Sequence, residues 1–178
     1  VFSQDGQLLN VRRILVNRSS EEKTTSKVIN LPGYGSNGYV WPVSVLEDAE
    51  RIYICEGEID CLTALEQGLS AITGTNGSGD WRDDWSTLLA GKEVIICYDG
   101  DVAGRTGALK VAASVVQHAS KVFLADIPDN EDVNSLHLKG IRLADVPIKE
   151  YTGDDPSSLV ETLPENLSMQ ELSAWIDK

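Results

Sequence analysis

Acidic residues are concentrated in two short stretches of the sequence, and each stretch directly follows a run of apolar residues. The first stretch is Glu56-Gly57-Glu58-Ile59-Asp60, and the second is Asp99-Gly100-Asp101. Clustered carboxylates repel one another unless protonation, basic partners or a bound cation offsets their charge. Arg105 is the basic partner nearest in the sequence, and carboxylate oxygens suit Mg²⁺ or Mn²⁺. These residue types predict a metal site that is formed by Glu56, Asp60, Asp99 and Asp101.

The elements that must position these acids are indicated by four apolar runs. The runs lie at 51–55, 71–73, 93–98 and 121–125. They are near-continuous rather than alternating, which is typical of strands that are buried on both faces of a sheet. Helical patterns at 59–67, 81–89 and 102–119 separate them. This alternation of strands and helices predicts βαβ units and an α/β fold with a four-stranded, mainly parallel sheet flanked by helices.

Both acidic stretches fall where a predicted strand runs into a helix. In parallel α/β sheets, ligands bind beyond the carboxyl ends of the strands. Gly57 and Gly100 each follow the first acid of a stretch and permit a tight turn there. Either stretch alone could be an exposed turn or a helix entry, because acids favour the first turn of a helix. Two such stretches at equivalent strand ends favour a site, with Glu56 approaching Asp99 from another strand.

The formal net charge of −13 limits how the protein could bind nucleic acid. A protein that holds a polyanion by itself usually presents a basic face, which this composition lacks. Either nucleic acid is not the ligand, or a divalent metal and other domains supply the positive charge. Mg²⁺ binds through a few carboxylates together with substrate phosphates, which would let an acidic domain hold a polyanion.

The sequence divides into three predicted parts. Two short β-branched runs in residues 1–44 predict a small β-rich N-terminal subdomain. The main domain is predicted at 45–140, and residues 141–178 form an extension with a terminal helix at 168–176. No apolar stretch reaches the roughly 18 residues that cross a bilayer, and no secretory signal is evident, so we expect a cytoplasmic protein without a membrane partner. Because the chain begins with Val1, we expect it to be part of a longer protein.

The two acidic stretches resemble the signature motifs of the Toprim fold. An apolar strand that ends in Glu56-Gly57, with Asp60 three residues later, resembles the first motif. Asp99-Gly100-Asp101, followed by Gly104-Arg105, resembles the second motif, Asp-x-Asp-x-x-Gly, in the form typical of bacterial and phage primases. The order and the spacing of the two motifs match as well. The resemblance covers residues 45–140 and implies a Toprim catalytic domain.

Two further segments resemble parts of primases. The acid-rich run at 127–136 resembles the primase segment in which an acidic turn precedes a short helix, and Asp132 there matches a further metal-facing carboxylate. The same run could instead be a solvated loop. In phage-type and plasmid-type primases, a small N-terminal subdomain supplies basic residues to nucleotide and template. The resemblance gives that role to Arg12, Arg13 and Lys27, with Arg105 in the second motif, although a small sheet could simply expose such residues.

The resemblance implies the catalytic core of a DNA primase or primase-helicase, a nucleotidyltransferase that makes RNA primers in phage or plasmid replication. Glu56 would transfer a proton, while Asp99 and Asp101, with Asp60 in support, would hold Mg²⁺ or Mn²⁺. The implied partners are a single-stranded DNA template, nucleoside triphosphates, and a replicative helicase or other domains of the same polypeptide.

Two other functions of a Toprim domain stay open. A nuclease would use the same carboxylates with water as the nucleophile, and metal-dependent nicking without nucleoside triphosphates would favour it. A non-catalytic module, as in recombination mediators, would bind DNA or partners without turnover, and an unaffected Glu56 variant would favour it. A topoisomerase is disfavoured because it needs a nucleophilic tyrosine on another large domain. A receiver domain is disfavoured because no lysine fits after its last strand.

Overall fold

The computed structural model describes residues 12–14, 28–30, 38–75 and 81–153. Strand β1 (Arg12–Ile14) pairs with β2 (Val28–Asn30) in an antiparallel ladder, as the β-branched runs of the N-terminal part predict. The predicted terminal helix at 168–176 lies outside the described residues.

The main body of the fold is a six-stranded mixed sheet. Its strands are β3 (Val40–Trp41), β4 (Arg51–Cys55), β5 (Ala71–Gly74), β6 (Glu93–Cys97), β7 (Lys121–Ala125) and β8 (Ile148–Glu150). Their order across the sheet is β3-β5-β4-β6-β7-β8. The four central strands are parallel, whereas β3 and β8 pair antiparallel at the two edges.

The four predicted strands are therefore confirmed, and the predicted number of strands is too small by two. The two additional strands are short, and β8 is exposed along its whole length. Two residues in β3 and three exposed residues in β8 are too few to form a recognisable apolar run, so hydrophobic pattern does not reveal these strands. The α/β class of the prediction is correct. The boundaries drawn at residues 45 and 140 stay predictions.

Four α-helices flank the sheet in the described part of the chain. They are α1 (Glu58–Glu66), α2 (Asp83–Ser86), α3 (Val102–Val115) and α4 (Val133–Leu138). Helix α3 ends four residues before the predicted end at 119, and α2 continues into a 3₁₀ turn at Thr87–Leu89. None of the described helices is long and apolar enough to cross a membrane.

The helices form one layer on each face of the sheet. Helices α2 and α3 pack on one face, where alternate residues of β4 such as Ile52 and Ile54 are fully buried. Helices α1 and α4 pack on the other face, against Tyr53 and Cys55. Both faces of the central strands are therefore covered, which explains their unbroken apolar sequence. The three cysteines are free and buried, consistent with packing roles, and burial raises the pKa of Cys61 to about 12.

The register of the two central strands sets the place of the acidic stretches. In the parallel pair β4–β6, Cys55 lies opposite Cys97 at the last positions of both strands. Glu56 and Asp99 follow these residues directly or after one more residue, so both leave the sheet at its carboxyl edge. Helices α1 and α3 begin at the same edge. The fold thus brings the two acidic stretches together.

Candidate functional site

Glu56 and Asp99 are joined by a hydrogen bond at the carboxyl edge of β4 and β6. The backbone N–H of Asp99 donates to Oε2 of Glu56 over 3.2 Å. The Thr73 hydroxyl at the end of β5 donates to the Glu56 carbonyl oxygen over 3.3 Å. The strand on each side of β4 thus contributes one contact to Glu56. The first bond holds the Glu56 side chain over the second acidic stretch, and the second fixes the Glu56 backbone beside β5.

Asp99 lies among other carboxylates. Burial is the main cause that raises the pKa of Asp99 from its ordinary value of 3.8 to about 7. The negative charges of Glu56, Asp60, Asp132 and Asp101 raise it further. A nearby cation offsets this repulsion and so stabilises the ionised form of such a carboxyl group. The predicted metal residues and Asp132 therefore lie close enough for their charges to act on Asp99.

Asp60 joins α1 to α4 beside the site. Its Oδ1 accepts a hydrogen bond from the backbone N–H of Asn134 over 3.1 Å. Burial raises the pKa of Asp60, the Asn134 N–H opposes that shift, and the charges of Asp132 and Glu56 add to it. Thr63, also in α1, donates to Oδ1 of Asn134 over 3.3 Å. These contacts fix the Asp60 carboxylate at the start of α4.

Two of the site aspartates also cap helices. Oδ1 of Asp101 accepts from the Gly104 N–H over 2.7 Å at the start of α3. Oδ1 of Asp132 accepts from the Ser135 N–H over 2.6 Å, and the Ser135 hydroxyl accepts from the Asp132 N–H over 2.9 Å, which completes a capping box. Each cap occupies a single carboxylate oxygen. The helix N-termini beside the site also carry partial positive charge, which reduces the mutual repulsion of these acids.

The donor set fits a hard divalent cation. Among the ion pairs within the described residues, none includes a site carboxylate. No three acidic, histidine or cysteine side chains in the same part of the chain are already arranged to hold a metal ion. A set of oxygen donors without a basic partner nevertheless has the chemistry that Mg²⁺ and Mn²⁺ require. The carboxylates of this candidate site are Glu56, Asp60, Asp99, Asp101 and Asp132.

Gly100 docks the segment after β7 onto the second acidic stretch. Its N–H donates to the Glu131 carbonyl over 2.8 Å, and its own carbonyl accepts from the Asn130 N–H over 3.0 Å. A Cβ atom at position 100 would lie 1.9 Å from the carbonyl oxygen of Pro128, a distance that no packed structure allows. The backbone contact that brings Asp132 to the site therefore depends on glycine. Its signal in the sequence was the glycine between the two aspartates.

Gly104 fulfils a similar requirement between β6 and α3. A Cβ atom there would lie 2.3 Å from the Asp99 carbonyl oxygen, so only glycine lets α3 begin so close to the strand end. This close packing explains why the last position of the motif Asp-x-Asp-x-x-Gly is glycine in this chain.

Arg105 pairs with Asp129 and not with a carboxylate of the candidate site. The Arg105 guanidinium donates from Nη2 to Oδ1 of Asp129 over 2.6 Å and to the Ile127 carbonyl over 3.2 Å. Arg12 and Arg13 lie in β1, and the structure describes only their backbone. Lys27 lies outside the described residues. Their predicted role toward nucleotide or nucleic acid stays a prediction.

Comparison with known proteins supports the resemblance that the motifs suggest. Residues 53–137 match the family model described as Toprim-like. The gene 57 protein of Mycobacterium phage D29 is 32% identical over 111 residues, which cover 62% of this chain and 69% of that protein. The chain belongs to the Toprim-like family. This Toprim-like chain is also 29% identical to the DNA primases of Pseudomonas aeruginosa and Escherichia coli K12, over 93 and 96 residues.

The matches to the two DNA primases cover 50% and 52% of this chain but 14% and 16% of those proteins. The Toprim-like chain therefore spans less than a fifth of their length. Among solved structures, the E. coli primase catalytic core has a TM-score of 0.62 at 20% identity, covering 83% of this chain and 51% of that one. The Aquifex aeolicus primase, with its zinc-binding and RNA polymerase domains, has a TM-score of 0.63 at 17% identity, covering 99% and 45%.

A third solved structure is a DnaG primase catalytic domain bound to single-stranded DNA, with a TM-score of 0.60 at 21% identity, covering 78% of this chain and 46% of that one. At these identities the structures establish a shared fold. Sequence similarity and shared fold together confirm the predicted Toprim family and the predicted α/β fold class.

Proposed function

We propose that this Toprim-like domain is the catalytic core of a DNA primase, and that it makes short RNA primers on single-stranded DNA by Mg²⁺-dependent nucleotidyl transfer. The observation that carries the proposal is the carboxylate cluster around Asp99, whose pKa of about 7 reflects burial and four neighbouring acids. Such a cluster suits a cation-assisted reaction of a polyanionic substrate. The similarity to DNA primases supports this choice among the reactions of the family.

Asp99 and Asp101 would hold the cation, and Asp60 and Asp132 would support it. The cation, Mg²⁺ or Mn²⁺, would neutralise charge on the phosphates of the incoming nucleoside triphosphate. Asp101 and Asp132 each direct one oxygen to a helix N-terminus, which fixes the rotation of the carboxylate plane. This restraint would keep both carboxylates in one orientation, so that they would not have to be ordered when the cation binds.

Glu56 would act in proton transfer. Its Oε2 accepts the Asp99 N–H, so the side chain is held at the strand edge while Oε1 remains for another contact. At that atom Glu56 would accept the proton of an attacking 3′-hydroxyl, and general-base catalysis of this kind contributes about 10²- to 10⁴-fold to a rate. Its bond to the second acidic stretch would keep it beside the cation ligands. Proton transfer and phosphate binding would then occur at one strand edge.

The proposed partners are a single-stranded DNA template, nucleoside triphosphates, and a replicative helicase or other domains of the same polypeptide. A net charge of −13 makes the cation and the basic residues Arg12, Arg13 and Lys27 the sources of attraction for these polyanions. In this proposal residues 1–44 guide the substrates to the catalytic domain at 45–140. The extension at 141–178 would connect the domain to its neighbours.

Primer synthesis tests the proposal directly. We expect this chain, or a longer protein that contains it, to convert labelled ribonucleoside triphosphates into short RNA on single-stranded DNA when Mg²⁺ is present. Glu56→Gln and Asp99→Asn should each lower the yield at least a hundredfold. Glu93→Gln is the matched control, because Glu93 lies at the opposite end of β6 and is paired with Arg51. It should leave the yield unchanged.

The same assay separates primer synthesis from the other activities of the family. Metal-dependent nicking of plasmid DNA without ribonucleotide incorporation would replace the proposal with a nuclease. Full primer synthesis by Glu56→Gln would refute the role of Glu56. An absence of both reactions in every protein that contains the domain would favour a binding module.

A further inference from the structure

The acidic loop, defined as residues 127–132, contacts the second acidic stretch at two levels. Its backbone pairs with Gly100 through hydrogen bonds of 2.8 and 3.0 Å. The Asp129 side chain of the loop accepts a hydrogen bond from Arg105, which lies in the first half of α3. The loop ends at Asp132, one of the acids that raise the pKa of Asp99. Whatever fixes this loop therefore also fixes Asp132 within the site.

The Arg105 guanidinium contacts the acidic loop through its Nη2 atom. Its Nη2 atom donates to both Asp129 and the Ile127 carbonyl, so one nitrogen makes two contacts. The Arg105 side chain is 20% exposed, whereas the Asp129 side chain is 85% exposed. A substrate phosphate that bound Nη2 would have to displace both partners. The geometry favours a role toward the loop over a role toward phosphate.

Arg105 is also connected rigidly to the site. Its backbone N–H donates to the Asp101 carbonyl over 2.9 Å, in the first turn of α3. The same helix is capped by the Asp101 carboxylate. The ion pair with Asp129 thus ties the loop to the helix turn that carries Asp101.

The far end of the acidic loop is held by α4. The Glu131 carboxylate accepts hydrogen bonds from the Ser135 hydroxyl, over 2.6 Å, and from Lys139. The Asp132 carboxylate caps the same helix. Asp132 therefore lies between two anchors, which are α4 on one side and the Gly100 and Arg105 contacts on the other.

We propose that Arg105 is a positioning residue: its ion pair with Asp129 fixes the acidic loop and so holds Asp132 beside Asp99 and Asp101, where the divalent cation binds. The inference rests on the proposed function in one respect, namely that a cation binds there. It assigns Arg105 a role different from direct phosphate binding.

The test is Mn²⁺ affinity, measured by titration calorimetry on the full chain. Arg105→Gln and Asp129→Asn should each weaken Mn²⁺ binding three- to tenfold. The double variant should bind no more weakly than the worse single variant, because either change breaks the same ion pair. Arg105→Lys should recover part of the loss, since a single nitrogen makes both contacts in the native protein. A merely structural role would not reproduce this pattern in affinity.

The control uses an ion pair at the other end of the same strands. Arg51 and Glu93 are opposite each other at the first positions of β4 and β6. Arg51→Gln and Glu93→Gln should leave Mn²⁺ affinity unchanged within twofold. Melting curves of all variants should show that each is folded at the temperature of the titration.

A second measurement requires no metal. Amide hydrogen exchange at Gly100 and Asn130 reports the backbone pairing of the loop, and Arg105→Gln should accelerate it severalfold while β4 amides stay protected. If the native chain binds no Mn²⁺, the proposed metal site fails, and exchange alone decides the loop contact. Unchanged exchange and unchanged Mn²⁺ affinity in Arg105→Gln would overturn the positioning role. So would a selective loss of nucleotide affinity in that variant, which would make Arg105 a phosphate ligand.

Discussion

The acidic residues at the two ends of strand β6 have different kinds of partner. At the amino end, Glu93 is paired with Arg51, and Lys92 donates to the Ala49 carbonyl over 2.7 Å. At the carboxyl end, the site acids have helix N-termini and backbone N–H groups as partners, and no ion pair within the described residues includes them. A cleft of about 440 Å³ lies at the amino end, so cleft volume does not identify the site.

The difference shows that charge compensation, rather than acidity, distinguishes a surface from a site. Acids that are paired with bases at the amino end have no unmet electrostatic requirement. At the carboxyl end, burial and then the charges of neighbouring acids raise the pKa of Asp99 and Asp60, and a cation would offset this cost to the fold. Such a cost is expected where binding, rather than stability, has determined the residues.

The largest effect should come from adding a methyl group at Gly100. Gly100→Ala would place Cβ against the Pro128 backbone, and we expect the free energy of unfolding to fall by about 3 kcal/mol. Gly91→Ala at the amino end is the control, since its φ of +74° is unfavourable but no atom lies within 4 Å. That change should cost about 1 kcal/mol. Urea unfolding measures both, and equal losses would contradict the docking of the acidic loop.

Removing the charge of Asp99 should stabilise the protein at alkaline pH. The folded pKa of about 7 exceeds the ordinary 3.8, so the folded state loses stability as the pH rises through that window. Asp99→Asn cannot titrate, and above pH 7 in a chelator we expect it to gain about 2 kcal/mol, after allowance for solvent screening. Near pH 4 the gain should vanish. A gain that is independent of pH would argue against charge repulsion.

Cation binding should weaken as Asp99 takes up a proton. With a pKa of about 7, Asp99 is mostly ionised at pH 8 and mostly protonated at pH 6. Mn²⁺ affinity should therefore fall about tenfold between these values, because metal and proton compete for the carboxylate. Titrations of the native chain and of Glu93→Gln should show the same fall. Affinity that does not change with pH would exclude Asp99 as a ligand.

The smallest effect should come from breaking the amino-end ion pair. Arg51→Gln removes an exposed pair, and such pairs contribute about 0 to 1 kcal/mol. Thermal melting should shift only slightly, and the shift should diminish in high salt. A loss above about 2 kcal/mol would show that the two ends of the strands are less different than we infer.

The sequence predicts the central part of the fold well because its strands are buried on both faces. The runs of β-branched and apolar residues in β4, β6 and β7 are removed from water only when helices cover both faces of the sheet. The edge strands escape prediction because each has only two or three residues, which are too few to show a pattern. Ile148–Glu150 illustrates this, since its side chains are exposed and carry no period.

The site is predictable to the extent that strand register determines it. Glu56 and Asp99 meet because parallel strands of equal register end together. The place of Asp132 depends on backbone hydrogen bonds to Gly100, and the sequence marks this contact only by the glycine between the two aspartates. Arg105 and Asp129 are 24 residues apart in the sequence. The sequence therefore does not indicate that Arg105 has an acidic partner.

The capping bonds of Asp101 and Asp132 have a consequence for how this domain can evolve. Loss of either aspartate would remove a helix cap as well as a proposed cation ligand, and a lost cap costs about 1 kcal/mol. Asparagine retains the cap and loses the charge. A related domain that no longer needed the cation could therefore acquire asparagine at these positions with little loss of stability. An aspartate retained at both positions would be the more informative mark of a lineage that still uses the site.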